Sequence, residues 1–232
     1  ALKKIKGTLI AVPIVNVFGY NTKSRYLPDR RDLNRSFPGV KGGSLAAQLA
    51  YTFAKEIVSK STHGIDLHTG AIHRYNLPQI RAHLDNPETK RIANSFNVPV
   101  IINSQLRDGS LREAAQEYKI PMLLFEGGEA LRFNEPVIKV GLKGILSVMR
   151  DIEMLPKLKA TTKCTDSFIA QSSHWVRAPH SGTLVPRKKI GDRVKKDTLI
   201  GVISDPFGEH QFETYATHTG IIVGMTMLPL VN

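Results

Sequence analysis

Three short segments of the chain carry side chains of complementary chemistry. Residues 64–70 read Gly-Ile-Asp-Leu-His-Thr-Gly, a buried-strand pattern that ends in His68 and a Thr-Gly turn. Residues 121–129 form a second apolar strand pattern, which ends in the carboxylate of Glu126. In the polar segment 32–39, Asn34 and Arg35 place an amide beside a guanidinium, a pair suited to hold a carboxylate and to polarise a carbonyl. Because reactive groups of α/β proteins lie at such strand ends, the three segments predict one hydrolytic centre.

Each of these residues also has a structural explanation. A lone histidine is more often hydrogen-bonded than metal-bound, although Asp66, on the same strand face, could fix the tautomer of a ligand His68. Arg35 could form an ordinary surface salt bridge. Glu129 competes with Glu126, which we prefer because it directly ends the apolar strand, whereas Glu129 lies beyond two glycines and could be a helix-start charge.

A further arginine, Arg112, follows the polar loop that precedes the second strand. Its guanidinium could reach an anionic substrate. The loop is equally well explained if Ser110 caps the helix that follows.

Alternating strand and helix patterns must position these side chains. We expect strands at 7–17, 65–68, 98–102 and 122–125, and helices at 44–59, 87–96, 111–118 and 134–149. Ser44 would cap the first helix, and Leu45, Leu49, Phe53 and Ile57 would share one of its faces. Segment 21–43, rich in Arg, Asp, Pro and Gly, predicts a long functional loop. The fold class is therefore α/β, with a mostly parallel or mixed twisted sheet and helices on both faces.

The character of the chain changes after residue 155. We predict a catalytic domain at 1–155, a linker at 156–173 and a small all-β domain at 174–232, with short strands at 175–177, 182–185, 199–203 and 220–223. Ala-Pro-His-Ser-Gly at 178–182 and Ala-Thr-His-Thr-Gly at 216–220 lie 38 residues apart. This internal repeat suggests two halves of a small barrel.

The Asp-Leu-Asn-Arg of 32–35, the Asp-Leu-His-Thr-Gly of 66–70 and the strand-ending Glu126, in this order, resemble the succinylglutamate desuccinylase/aspartoacylase family. These are zinc-dependent amide hydrolases related to the zinc carboxypeptidases, and the resemblance implies a zinc-carboxypeptidase-like sheet. It implies that His68 is a zinc ligand, that Asn34 and Arg35 bind substrate, and that Glu126 activates water. Arg25 resembles another arginine position of the aspartoacylase branch. The resemblance runs from about residue 6 to the chain end.

One departure from the family concerns the metal. The family takes two zinc ligands from a Gly-x-His-Gly-x-Glu type segment that would precede residues 7–13, and this sequence contains no such segment. Because a catalytic zinc needs three protein ligands, we expect that the chain lacks its amino-terminal portion, so that it would be inactive alone. The chain also stops at residues 230–232 in the middle of a strand pattern, so we expect that its carboxyl end is incomplete as well.

The β-rich part resembles the biotinyl/lipoyl-type barrel of carrier domains. The segment that would join the halves of this barrel, 204–210, contains no lysine for a cofactor. A carrier role is therefore disfavoured, and we expect a lid or packing module.

The function that the resemblance implies is zinc-dependent hydrolysis of the amide bond of an N-acyl amino acid or similar small acidic amide. The substrate would thus be a small anion. Two alternatives stay open: a non-catalytic anion-binding scaffold that has lost its metal site, and a carboxypeptidase-type peptide hydrolase. The sequence leaves the acyl group, the amino acid and the oligomeric state undetermined, with a homo-oligomer among the assemblies open to it.

The composition of the chain disfavours some classes of binding partner. The 232 residues carry a formal charge of +12, but the basic residues are scattered and only 7% of residues are aromatic, with no stacking motif, which argues against nucleic acid. The absence of an apolar run of about 18 residues argues against a membrane span. The single cysteine, Cys164, excludes an internal disulfide and favours a cytoplasmic protein.

Overall fold

The computed structural model describes residues 5–158 and 166–232; Cys164 lies outside this part. The helices are α1 (Val17–Thr22), α2 (Leu45–Glu56), α3 (Pro87–Phe96), α4 (Leu111–Glu117) and α5 (Glu135–Asp151), with short 3-10 turns at Leu33–Arg35 and Val58–Lys60. The strands are β1 (Gly64–Gly70), β2 (Arg74–Ala82), β3 (Val100–Asn103), β4 (Met122–Glu129), β5 (Phe168–Ala170), β6 (Gly182–Pro186), β7 (Arg193–Val194), β8 (Leu199–Ser204), β9 (Gln211–Tyr215), β10 (Gly220–Ile221), β11 (Gly224–Thr226) and β12 (Leu230–Val231).

A central mixed sheet organises the described residues. Its strand order is β1-β4-β2-β3-β5, and β11 pairs with β2. β1 lies parallel to β4, whereas β4 and β2 are antiparallel, and β2, β3 and β5 are again parallel. The predicted α/β fold with a mixed sheet is thereby confirmed.

Helices pack against both sides of this sheet. Ile80, Leu123 and Phe125 form one core with α3 and α5, where the Phe96 ring stacks on the Phe125 ring at a centroid distance of 5.3 Å. A second core joins α2, α4 and the 3-10 turn at Leu33–Arg35, and the partly buried Met122 of β4 packs against it. Met122 and Glu126 share the strand face opposite to Leu123 and Phe125, because side chains alternate along a strand.

Local capping determines where the helices begin. The Asn86 side chain accepts a hydrogen bond from the Thr89 N–H at 2.9 Å and Pro87 occupies the first turn, so α3 begins where the sequence predicts. The Ser44 hydroxyl accepts from the Ala47 N–H at 3.3 Å and caps α2.

The buried face of α2 differs from the predicted one. Its fully buried line consists of Ala46, Ala50 and Ala54, whereas Leu45, Leu49 and Phe53 pack around this line and are only partly buried. Small side chains let the helix approach the polar loop closely, which a large apolar stripe would prevent.

Two predicted strands are wrong. Residues 7–16 form neither a helix nor a strand, and α1 begins at Val17; the side chains of Leu9, Ile10 and Val12 are 39–45% exposed. Residues 175–177 are also irregular. The Arg74 guanidinium instead lies over the Trp175 ring, with its carbon 5.2 Å from the centroid of that ring. A β-branched apolar run becomes a strand only when neighbouring backbone groups complete its hydrogen bonds, and the described residues provide no ladder for either run.

The carboxyl-terminal part is rich in strands, as predicted. β12, β6, β8 and β9 form an antiparallel sheet in that order, and β7 pairs with β10. The barrel type stays a prediction, as does the division into domains. Two pairings cross the predicted boundaries: β5, inside the predicted linker, pairs with β3, and β11 pairs with β2. None of the helices in the described ranges is long and apolar enough to cross a membrane.

Candidate active site

The register of β1 and β4 brings the two key side chains together. His68 and Glu126 are direct partners on these adjacent parallel strands, so their side chains project from the same sheet face. The register shifts between His68 and Gly70, and Gly70 then pairs with Glu129, so both strands continue past this pair and Glu126 does not end its strand as predicted. Two residues 58 positions apart therefore form one site.

His68 is held by a carboxylate on its own strand. Its Nε2 lies 2.9 Å from Asp66 Oδ2. Burial by itself lowers the pKa of His68, but the hydrogen bond and charge of Asp66, with the charge of Glu126, outweigh this effect and raise the pKa above its ordinary value; the Arg25 charge opposes the rise. The described residues place no partner on Nδ1, which is therefore the nitrogen available to a ligand.

Glu126 receives its hydrogen bonds from β2. Its Oε2 accepts from Arg81 Nε at 2.9 Å, from Gln79 Nε2 at 3.3 Å and, at the limit of hydrogen-bonding distance, from Asn76 Nδ2 at 3.5 Å. Glu129 is differently engaged, since its Oε1 accepts from the His73 N–H at 3.1 Å in the turn between β1 and β2.

The polar loop is organised around Asp32. One of its oxygens accepts two hydrogen bonds from Arg25, from Nε at 2.9 Å and from Nη2 at 2.7 Å. The other accepts from the Asn34 N–H at 2.9 Å and caps the 3-10 turn.

Asn34 and Arg35 have different environments. Asn34 Oδ1 accepts from the Leu111 N–H at 2.9 Å, which fastens the loop to the first turn of α4. Arg35 is exposed and its Nη1 donates to the Asn34 carbonyl oxygen. Within the described ranges, Arg35 has no carboxylate partner, so the salt-bridge alternative is not realised there.

Arg112 lies in the field of the site's carboxylates. Its side chain is buried and donates to the carbonyl oxygens of Ser104 and Gln105 at 3.3 and 3.4 Å. Burial lowers its pKa, as do the charges of neighbouring arginines, and Asp66 and Glu126 oppose this only in part. Ser110 also caps the helix, as the alternative explanation of this loop predicts, because its hydroxyl accepts a 3.3 Å hydrogen bond from the Glu113 N–H at the start of α4.

A close backbone contact joins the turn that carries Arg35 to the loop before α4, the helix that carries Arg112. The Phe37 N–H donates to the Gly109 carbonyl at 3.0 Å. Gly109 has φ +71°, and a Cβ there would lie 2.6 Å from the Arg35 carbonyl oxygen. Only glycine permits both this conformation and this approach.

The donor set around His68 is incomplete for zinc. A structural or catalytic zinc takes at least three protein ligands. Across the described ranges, the group of three His, Cys, Asp or Glu side chains close enough to share an ion is Asp205, Glu209 and His210, in the β8–β9 hairpin. The Asp205 carboxylate there already accepts three backbone N–H groups and shapes the hairpin. His68 thus fits as one zinc ligand, and the described residues do not supply the others.

Known proteins resemble most of the chain in sequence. The model of the succinylglutamate desuccinylase/aspartoacylase catalytic domain matches residues 1–152. The chain belongs to this family. This member is 26% identical over 216 residues to the N-alpha-acetyl-L-2,4-diaminobutyric acid deacetylase of Halomonas elongata. The match covers 87% of the chain and 62% of that relative, so the chain spans less than two thirds of the relative's length.

Solved structures of the family share the fold. A succinylglutamate desuccinylase/aspartoacylase from Rhodobacter sphaeroides superposes with a TM-score of 0.85 at 22% identity, covering 99% of this chain and 74% of that one. The product-bound ectoine utilization protein EutE (DoeB) from Ruegeria pomeroyi gives 0.85 at 21% identity, with 99% and 73% covered.

Sequence reasoning missed the β2 residues of the site. Pro78 argues against a strand at this position, because proline cannot donate to a ladder. Here the pairing with β4 is irregular between Asn76 and Gln79, which accommodates the proline. The available signal was the polar-apolar alternation of Gln79, Ile80 and Arg81, the pattern of a half-buried strand.

Proposed function

We propose that this protein is a zinc-dependent hydrolase of the amide bond in an N-acyl amino acid or a similar small acidic amide. The observation that carries the proposal is the pairing of His68 with Glu126 on the adjacent strands β1 and β4. The family membership and the deacetylase relative support the same reaction class.

The cations around this pair favour an anionic substrate. The Arg25 charge opposes the rise in the pKa of His68, the Glu126 charge opposes the fall in the pKa of Arg112, and Arg35 is exposed on the adjoining loop. Asn34 is fixed by its Oδ1, which leaves its NH2 group to donate. A planar guanidinium binds a carboxylate through two hydrogen bonds, so this loop would orient the acid group of the substrate.

Glu126 would perform the proton transfers. It takes a proton from the attacking water as the water oxygen bonds to the amide carbon, and it delivers the proton to the leaving nitrogen as the carbon–nitrogen bond breaks. The products are the free carboxylic acid and the amine. Nearby cations would stabilise the oxyanion of the tetrahedral intermediate.

Zinc would be held by Nδ1 of His68 together with ligands beyond those described. When bound, it would supply Lewis-acid polarisation of the amide carbonyl. The contact between His68 and Asp66 matches the carboxylate that commonly orients a zinc-bound histidine.

The test compares two glutamines in the protein expressed from its complete reading frame. Glu126→Gln removes the proposed base, and we expect kcat for N-acetylated amino acids to fall by at least about 100-fold. Glu129→Gln is the matched control, three positions further along the same strand, and should change kcat by less than about threefold. Amine release and zinc content by elemental analysis are the measurements.

Two results would overturn the proposal. One is a Glu126→Gln variant that keeps the wild-type kcat. The other is a complete wild-type protein that contains no zinc and releases no amine from any N-acyl amino acid, which would favour the anion-binding scaffold.

A further inference from the structure

Glu126 is bound unequally at its two oxygens. Three donors from β2, on Arg81, Gln79 and Asn76, all converge on Oε2. No donor from residues 5–158 or 166–232 reaches Oε1. A carboxylate held at one oxygen keeps its orientation, while its other oxygen remains free to accept a proton from a water.

The side-chain amide of Gln79 uses its nitrogen to hold Glu126 and leaves its oxygen without a hydrogen bond among the described residues. Its side chain is 1% exposed and its Oε1 has no partner among the described residues, while its Nε2 donates to Glu126. An unpartnered buried oxygen is unfavourable, so the side-chain amide is oriented by the negative charge of Glu126 rather than by packing alone. The opposite amide orientation would bring two oxygens together.

Arg81 is held at both ends of its guanidinium. Its Nε donates to Glu126 at 2.9 Å, and its Nη1 donates to Ser173 Oγ at 3.4 Å. Its side chain is 23% exposed and that of Glu126 is 19% exposed, so the pair is partly shielded from water. Ser173 lies three residues after β5, the edge strand of the sheet, so the segment after this strand helps to hold the guanidinium.

We propose that Arg81 and Gln79 are positioning residues that fix Glu126 through Oε2 and leave Oε1 as the proton-accepting atom. The inference rests on the proposed function for the identity of the reaction. It adds residues outside the segments 32–39, 64–70 and 121–129 that the sequence singled out, and β2 contributes them. Neither residue needs to touch the substrate, so their loss should affect catalysis and leave substrate binding nearly unchanged.

The kinetic test uses the complete protein and N-acetylated amino acids. Arg81→Met keeps the length of the side chain but removes its donors, and we expect kcat to fall on the order of 10- to 100-fold, with KM within about threefold, because a small displacement of a reacting group has an effect of this size. Gln79→Met should lower kcat by less than about tenfold. Arg81→Lys, which retains a donor and the charge, should recover part of the loss.

Arg91→Met is the matched control. Arg91 also binds carboxylates, Glu88 and Asp151, but on the surface between α3 and α5. Its replacement should leave kcat and KM at wild-type values. A wild-type kcat in Arg81→Met, or a loss that appears only in KM, would overturn the inference.

Crystal structures of Arg81→Met and Gln79→Met give a readout that does not require activity. We expect the Glu126 carboxylate to leave its wild-type orientation in Arg81→Met and to be less ordered in Gln79→Met. An unchanged Glu126 in both variants would refute the positioning role. If the wild-type protein hydrolyses no N-acyl amino acid, the proposed function fails, and these structures still decide the inference.

Discussion

Replacement of Gly109 by alanine tests whether the two site loops are locked together. Gly109 has φ +71°, and its added Cβ would lie 2.6 Å from the oxygen and 2.7 Å from the carbon of the Arg35 carbonyl. The left-handed conformation costs an L-residue about 1–2 kcal/mol. The collision with backbone adds about 1–3 kcal/mol, the usual cost of overpacking. We therefore expect Gly109→Ala to lower the free energy of unfolding by roughly 2–5 kcal/mol.

Gly208→Ala separates these two contributions. Gly208 has nearly the same backbone conformation, φ +76°, and nothing lies within 4 Å of the position its Cβ would take. Its replacement should therefore cost only the conformational part, about 1–2 kcal/mol. The difference between the variants measures the contact between the loops.

Urea unfolding followed by circular dichroism provides both values, provided that the slopes with denaturant agree. If Gly109→Ala is no less stable than Gly208→Ala, within about 0.5 kcal/mol, the loops are not in the tight contact described. This contact would then not hold Arg35 in place relative to Arg112.

Two further predictions concern the core and the pH dependence of stability. A Cβ on Gly144 of α5 would lie 2.0 Å from the buried Phe96 ring, whereas the nearest contact of a Cβ on Gly141 would be 3.3 Å. Both replacements gain about 1 kcal/mol of helix propensity, but only Gly144→Ala adds an overpacking cost of about 1–3 kcal/mol, so it should be the less stable variant by that amount in thermal or urea unfolding. Equal stability of the two variants would contradict the packing described. The Arg91 hydrogen bond is the main cause that lowers the pKa of Glu88 to about 2, so this carboxylate stabilises the fold above its ordinary pKa of 4.5 and loses that effect as the pH falls through about 2. Because the Glu88 side chain is 38% exposed, Glu88→Gln should lower the free energy of unfolding by less than about 1 kcal/mol at pH 7. The free energies of unfolding of the variant and the wild type should converge as the pH is lowered to about 2. A difference that stays constant with pH would refute the ionic origin of the effect.

Local signals in the sequence identified most of the elements around the site. The helix beginning at Pro87 follows from a capping asparagine and a first-turn proline, interactions that span three or four residues. The strands that carry His68 and Glu126 follow from their apolar runs, although β1 continues to Gly70 and β4 to Glu129 instead of stopping at these two residues. These features depend on neighbours in the chain, and the sequence contains those neighbours explicitly.

Strand partners could not be found in this way. Residues 7–17 have the composition of a buried strand, yet the described structure gives them no ladder. β2 was missed because Pro78 disfavours a strand locally, whereas the irregular pairing beside Asn76 accommodates it. In both cases the outcome depends on which backbone groups lie alongside, and a one-dimensional pattern does not contain that information.

By itself the sequence singled out residues whose side-chain types suit amide hydrolysis, namely His68, Glu126, Asn34 and Arg35, and their roles stay predictions. Only the tertiary structure decided how they are held. It placed His68 opposite Glu126, and it brought Arg81 to Glu126 across 45 residues of chain. The physical reason is that motifs and caps are local, whereas register between strands is set by packing and hydrogen bonding among segments that are distant in sequence.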